Sequence, residues 1–361
     1  MSLDGGGDIA YDLAIIEFDD QGTFWKLDQL EDTLDLIERR NAETERGILV
    51  LPFVHGWKNN ADPNQKEGDL VDFREELAAI ADLLASGDKD SPDRVIGVYL
   101  GWRGATSRIP LQQQTTFFDR RRTAERVASL NMRETLFRIL IATNANSSSK
   151  AFVVGHSMGG IVVGRTLQPD ITTLLLSEGR NGIRLTSALT VLINPALDAL
   201  ASHQFIDFLK RSNARVEVRH ADGRVEPVDQ PIMVSIQTEV DTATGRAYPA
   251  GRIFATLFNN FRGDHAKGAP SRRTLVTRAE GHVPYLVSHD AWIEDGELRL
   301  ERVPGAWNDT PYWVIRVTKD ISKDHGDTRN PRLGELVDRI ARGNRLYDTD
   351  AELWMRVSRE K

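Results

Sequence analysis

The segment Ala151-Phe152-Val153-Val154-Gly155-His156-Ser157-Met158-Gly159-Gly160-Ile161-Val162-Val163 sets a serine between two apolar runs. Gly155, Ser157 and Gly159 match the pattern G-x-S-x-G; the first run reads as a strand and the second as the start of a helix. A nucleophile on so sharp a turn sits in a strained backbone, and its neighbours must be small for the helix to pack on the strand. The turn also puts the hydroxyl at a helix N-terminus, where the dipole and free N–H groups favour developing negative charge. The chemistry open to it is attack by the serine oxygen on an acyl carbon. The pentapeptide alone is weak, because glycine-rich turns containing serine recur by chance. The flanking strand and helix are what make Ser157 a candidate nucleophile.

A serine hydroxyl is a poor nucleophile at its free pKa, so a histidine must take its proton and a carboxylate must orient that histidine. The chain has no cysteine, which removes thiol nucleophiles, disulfide frameworks and thiolate metal sites.

Such groups need a scaffold, and the hydrophobic pattern supplies one. Leu13 to Phe18 reads as a strand, and Leu27 to Arg40 as a helix with Leu30, Leu34 and Ile37 on one face. Strand Ile48 to Val54, helix Leu70 to Leu84, strand Val95 to Leu100, one long helix Thr115 to Ala142 and strands Ala151 to Val154 and Ala188 to Ile193 continue the rhythm. Apolar strands alternating with helices predict an α/β fold, a mainly parallel sheet flanked by helices on both faces. After Pro195 the rhythm weakens. A hairpin is expected over Val216 to Val228, sheet strands over Pro231 to Gln237 and Tyr312 to Val317, and a final helix over Leu333 to Arg342. Arg246 to Asn308, rich in Gly, Pro, Arg and aromatics, reads as an insertion before the last strand, with local hairpins such as Ile293 to Leu300 around Asp295-Gly296. The expected organisation is a single domain over residues 8–361 that contains this insertion at 246–308.

The run GHSMGG resembles the nucleophile elbow of the α/β-hydrolase superfamily, which includes esterases, lipases and related acyl hydrolases. The resemblance spans roughly Ile48 to His325 and weakens toward the C-terminus. It implies an α/β-hydrolase fold and an oxyanion hole in which Met158 supplies one N–H. Phe53-Val54-His55-Gly56-Trp57, after an apolar strand, resembles the family's second donor loop. There the Trp57 N–H would be the donor, Gly56 would allow close approach, and His55 would shape the loop. Lys58, Asn59 and Asn60 follow it without an assigned role.

The family's chain order of serine, acid, histidine places the acid after the strand Pro231 to Gln237. That leaves Asp241 or Glu239; Asp241 opens the turn-like Asp241-Thr242-Ala243-Thr244-Gly245 and is preferred. Of the later histidines His265, His282, His289 and His325, the resemblance favours His325, in a loop between a core strand and the final helix. His289 stands as its alternative.

The reading that results is a carboxylic ester hydrolase acting on a small-molecule acyl substrate, with no metal or organic cofactor implied. Acyltransferase, thioesterase and peptidase chemistry use the same triad, and an inactive scaffold serving as a binding module is the rival of another class. The formal net charge of −7 argues against nucleic acid as a main partner, since phosphate binding rests on a basic field. No stretch approaches the roughly 18 apolar residues of a membrane span. Met1 to Gly7 reads as a flexible leader, with neither the basic nor the apolar region of a signal peptide, and the compartment is left open. Arg120-Arg121-Arg122, Arg126, Arg133 and Arg138 read as a solvated helix face balanced by Asp119, Glu125 and Glu134. Asp324, His325 and Asp327 lack the spacing of a metal site. Trp102-Arg103-Gly104, at a strand's carboxyl end, fits a pocket wall or a cap on the core equally well. Phe254, Phe258, Phe261, Tyr285, Trp292 and Trp307 of the insertion are expected to cover the acyl pocket.

Overall fold

The structure, a computed structural model, describes residues 11–86, 91–104, 117–179, 181–185, 188–247, 249, 268–343 and 351–357. Its strands are β1 (Tyr11–Phe18), β2 (Ile48–Val54), β3 (Arg94–Trp102), β4 (Lys150–His156), β5 (Ile183–Arg184), β6 (Ala188–Ile193), β7 (Arg215–His220), β8 (Val225–Val228), β9 (Met233–Thr238), β10 (His289–Glu294), β11 (Glu297–Arg302), β12 (Tyr312–Val317) and β13 (Ala351–Arg356). The helices are α1 (Asp28–Ala42), α2 (Asp69–Ala85), α3 (Phe117–Val127), α4 (Leu130–Asn144), α5 (Met158–Ser177), α6 (Ala199–Arg211), α7 (Arg272–Thr277) and α8 (Pro331–Gly343).

Nine strands form one sheet in the order β1-β3-β2-β4-β6-β9-β12-β10-β11. The pairings of β3 with β1 and β2, of β2 with β4, and of β12 with β9 and β10 are parallel. β10 and β11 pair antiparallel at its edge. The class is therefore α/β, a mostly parallel sheet flanked by helices. Every residue of β2 is buried, as a strand covered on both faces requires.

The chain divides into two compact units, the first largely within Met1–Leu167 and the second within Gln168–Leu185, Val191–Asn344 and Asp350–Lys361. In the first, α1 buries Leu30, Leu34 and Ile37, the face its period predicts. A Cβ on Gly97 of β3 would lie 2.3 Å from Leu77 Cδ1 of α2, so that helix packs closely on the strand. In the second, β7 and β8 form the expected hairpin, Val216 facing Val228. They belong to a separate four-stranded sheet, β5-β13-β7-β8, whose strand β13 carries no signal that the hydrophobic pattern revealed.

Two expectations change. The single helix over Thr115 to Ala142 is two helices, α3 and α4, broken where Ser129 turns extended (φ −102°, ψ −171°). Ser129 Oγ and Asn131 Nδ2 both donate to Gly22 O, so a loop distant in sequence fixes the break. The hairpin around Asp295-Gly296 is not a separate decoration. Its strands are β10 and β11, and β10 pairs with β12 in the main sheet. Asp295 and Gly296 have φ 51° and 80°, the left-handed pair that a tight hairpin turn uses.

Met1 to Gly7, Phe254, Phe258, Phe261 and His265 lie outside the described residues. No helix among the described residues is long and apolar enough to cross a membrane.

Candidate active site

In the first unit, Ser157 stands between β4 and α5 with φ 54°, in the left-handed region that costs an L-residue roughly 1–2 kcal/mol. Glycine neighbours make the turn possible. A Cβ on Gly159 would lie 2.0 Å from Val54 O, and one on Gly155 would lie 2.8 Å from Gly159 O. The start of α5 can therefore press on the end of β2 only with glycine at 159. Ser157 itself is buried.

The loop after β2 passes directly against the serine, since a Cβ on Gly56 would lie 2.9 Å from Ser157 Cβ. This loop is held from several sides. Gly56 N–H donates to Asp69 Oδ2 at 2.9 Å, and His156 Nδ1 lies 3.2 Å from the same oxygen. Lys58 N–H donates to Gly104 O at 3.1 Å. Asn59 Oδ1 accepts the Asp69 N–H at the start of α2, and Asn59 Nδ2 donates to Trp57 O. Asn60 turns its side-chain oxygen to Asp62 N–H. The N–H groups of Trp57 and Met158 have no hydrogen-bond acceptor among the described residues.

His55 is fully buried between Tyr99 and Trp102, its ring parallel to Trp102 within 2°. Trp102 N–H donates to His55 Nε2 at 3.0 Å, so Nδ1 carries the ring proton and donates it to Gly56 O at 2.9 Å. Burial keeps the ring neutral by lowering its pKa. His55 therefore shapes the loop and has no free nitrogen for proton transfer. Trp102, whose Nε1–H donates to His55 O, caps the core; Arg103 is exposed and pairs with Asp20.

Asp69 is the member of this cluster that sequence reading missed. Burial alone would raise its carboxyl pKa, but His156 and the Gly56 N–H outweigh burial and bring it to about 2. Its only sequence signal is an acid in the first turn of a helix, which the helix dipole explains by itself.

In the second unit, Asp241 and His325 come together, Asp241 Oδ2 lying 2.7 Å from His325 Nδ1. The Asp241 side chain is 0% exposed. Its Oδ1 accepts the N–H groups of Ala243 and Thr244. Its Oδ2 also accepts Gln237 Nε2–H at 2.8 Å and Thr244 Oγ1–H at 2.5 Å. Burial opposes ionisation, but His325 and then Thr244 outweigh it and hold the carboxyl well below the usual carboxylate range. The loop of His325 is tied down by Asn194, whose Nδ2 donates to His325 O at 3.1 Å while its Oδ1 accepts Thr238 N–H at 2.9 Å. Asn194 itself has φ 44°.

The alternatives sit differently. Glu239 is exposed and makes no side-chain hydrogen bond or ion pair among the described residues. His289 lies within β10, buried against Trp313 at 4.0 Å between ring centroids, with Ser288 Oγ 2.9 Å from Nδ1. Burial, aided by Arg302, lowers its pKa to about 4, the behaviour of a core histidine. His282 reaches Thr244 Oγ1 at 2.9 Å and so stands one hydroxyl away from Asp241. Asp324 Oδ1 accepts Gly326 N–H, and Asp327 Oδ2 accepts Lys323 N–H and Asn330 Nδ2–H; both carboxylates shape the loop.

The arginine-rich segment departs from a solvated face at Arg120 and Arg121, while Arg122 and Arg133 are exposed as expected. Arg120 and Arg121 are 3% exposed. Arg120 joins Asp20, Asp119 and the Arg103 carbonyl, and Arg121 pairs with Glu125. The planar guanidinium can be buried when several acceptors surround it, and here it ties the ends of β1 and β3 to α3. Of the aromatics expected over the pocket, Trp292 belongs to β10, and Tyr285 and Trp307 stack on each other and on His203.

No protein-family model, curated protein or solved structure matches this chain.

Proposed function

We propose that this chain is a serine hydrolase of the α/β-hydrolase type that cleaves a carboxylic ester through a Ser157–His325–Asp241 triad. The observation that carries the reading is Ser157 in a left-handed backbone between β4 and α5, with Gly56 packed against it. A non-glycine residue held there at a cost is what a nucleophile turn needs and what a plain glycine-rich turn does not. The buried Asp241 against His325 Nδ1 supports the same reading from the other unit.

In this mechanism Ser157 Oγ attacks the acyl carbon and its proton passes to His325 Nε2. Asp241 holds the ring so that Nε2 is the basic nitrogen and stabilises the imidazolium that forms. The N–H groups of Trp57 and Met158 hold the oxyanion as it develops. His325 returns the proton to the leaving alkoxide, giving the acyl-enzyme and alcohol. Water then adds by the same steps in reverse and releases the acid.

The test is a fluorophosphonate probe together with a chain-length series of p-nitrophenyl esters, on wild type and Ser157→Ala. Labelling and turnover in wild type, both lost in the variant, are expected. A folded wild-type protein that neither labels nor turns over any ester would instead mark a binding scaffold.

A further inference from the structure

We propose that His282 is a positioning residue that holds Asp241 in place against His325 through Thr244. Four groups of the second unit form an unbroken chain. His282 Nε2 lies 2.9 Å from Thr244 Oγ1, Thr244 Oγ1 lies 2.5 Å from Asp241 Oδ2, and Asp241 Oδ2 lies 2.7 Å from His325 Nδ1.

The proton inventory gives the chain a direction. An ionised carboxylate only accepts, so the single hydroxyl proton of Thr244 goes to Asp241. The lone pairs of Thr244 Oγ1 then face two donors, His282 Nε2–H at 2.9 Å and Gln237 Nε2–H at 3.0 Å. Together they commit the Thr244 proton to the same oxygen that holds His325. Gly245 makes room for the ring, since a Cβ there would lie 3.1 Å from His282 Cε1. The adjoining Gly281 packs on Gln237, where a Cβ would lie 2.2 Å from Gln237 Cβ, and Gln237 also donates to Asp241. Nothing in this arrangement touches the reacting atoms; its effect passes through the acid.

The ionisable groups facing His282 are Asp241 and His325 along the chain and Arg278 on its own segment. Glu280 is turned instead to Ser202 and Tyr312. Burial favours neutral His282, Arg278 and His325 act the same way, and Asp241 opposes them. By fixing one more donor on Asp241, His282 strengthens the set of hydrogen bonds that keeps this carboxylate facing His325 Nδ1. The inference rests on His325 as general base only for its effect on rate.

The test is the solvent-exchange rate of the His325 Nδ1–H proton, followed by NMR in the full-length protein. His282→Ala is expected to speed this exchange by about tenfold, the worth of one lost hydrogen bond, and His282→Gln, which keeps an N–H donor, to restore most of it. An unchanged rate in His282→Ala, or an equal rise in His282→Gln, overturns the proposal. Should His282→Ala not fold, Thr244→Val carries the test, since it removes the hydroxyl between His282 and Asp241; wild-type exchange there overturns it. Probe labelling of Ser157 is scored separately, so loss of the hydrolase reading and loss of the relay are distinguishable.

Discussion

Asp69 Oδ2 accepts the Gly56 N–H at 2.9 Å, so this carboxylate is one of the groups that hold the loop lying against Ser157. The same oxygen faces His156, the residue before the serine. Asp69→Ala should loosen this loop, and a misplacement of about 1 Å costs on the order of 100-fold in rate. The expected result is a large fall in kcat with a smaller change in KM. Labelling of Ser157 in Asp69→Ala at the wild-type rate would show that the clamp has no bearing on reactivity.

Asp69 also predicts an acid limb of stability. Its pKa is about 2 folded against a reference of 3.8, so its contribution is complete above about pH 4 and is lost as pH falls through 2. The depression corresponds to roughly 2 kcal/mol. Chemical denaturation between pH 5 and pH 2 should show a shallower decline in Asp69→Asn than in wild type. Parallel curves would remove Asp69 as the cause.

Ser157→Ala and Ser157→Gly should both be inactive, the loss in kcat being on the order of 10⁴-fold or more. Their stabilities should differ in order. Alanine keeps the left-handed cost at φ 54° and glycine relieves it, so the glycine variant should be the more stable by about 1 kcal/mol. Thermal melts decide this, and an alanine variant as stable as the glycine one would remove the strain argument.

Asp241→Asn should lower kcat by on the order of 10⁴-fold, because an amide at this position favours the wrong tautomer of His325. Glu239→Gln, at an exposed carboxylate, should leave kcat within about twofold of wild type, as surface changes usually do. The reverse pattern in steady-state kinetics would exchange the two assignments.

Gly281→Ala forces a Cβ to 2.2 Å from Gln237 Cβ. Overpacking of this kind typically costs about 1–3 kcal/mol, and here the displaced side chain is a donor to Asp241. Lower thermal stability together with a lower kcat is expected. A variant with the wild-type melting temperature and kcat would mean that the segment yields freely. Excising 246–308 should leave no folded protein, since the cut removes β10, β11 and the Glu280–His282 turn.

What was legible in the sequence was what a few contiguous residues encode. The strained turn at Ser157 needs only its own glycines and the apolar runs beside it, and the Gly56 approach needs only a glycine at a strand end. The α/β class followed from residue periodicity, which is also local. Asp241 and His325 are 84 residues apart, so the sequence confined the candidates to loops without choosing among the residues there. Glu239 and Asp241 have the same chemistry and are two positions apart. Only the burial of one against Gln237, Thr244 and His325 separates them.

The same reason explains what the sequence concealed. Arg120 and Arg121 have the periodicity of an exposed face, yet Asp20, a hundred residues away from Arg120, makes burial affordable by pairing. Residues Glu297–Arg302 read as a loop hairpin because strand pairing joins distant segments and leaves no mark on local pattern. His282 and Asp69 are ordinary polar residues in their own neighbourhoods. Their partners are supplied by loops from other parts of the chain, and hydrogen-bond direction and desolvation exist only once those loops have met.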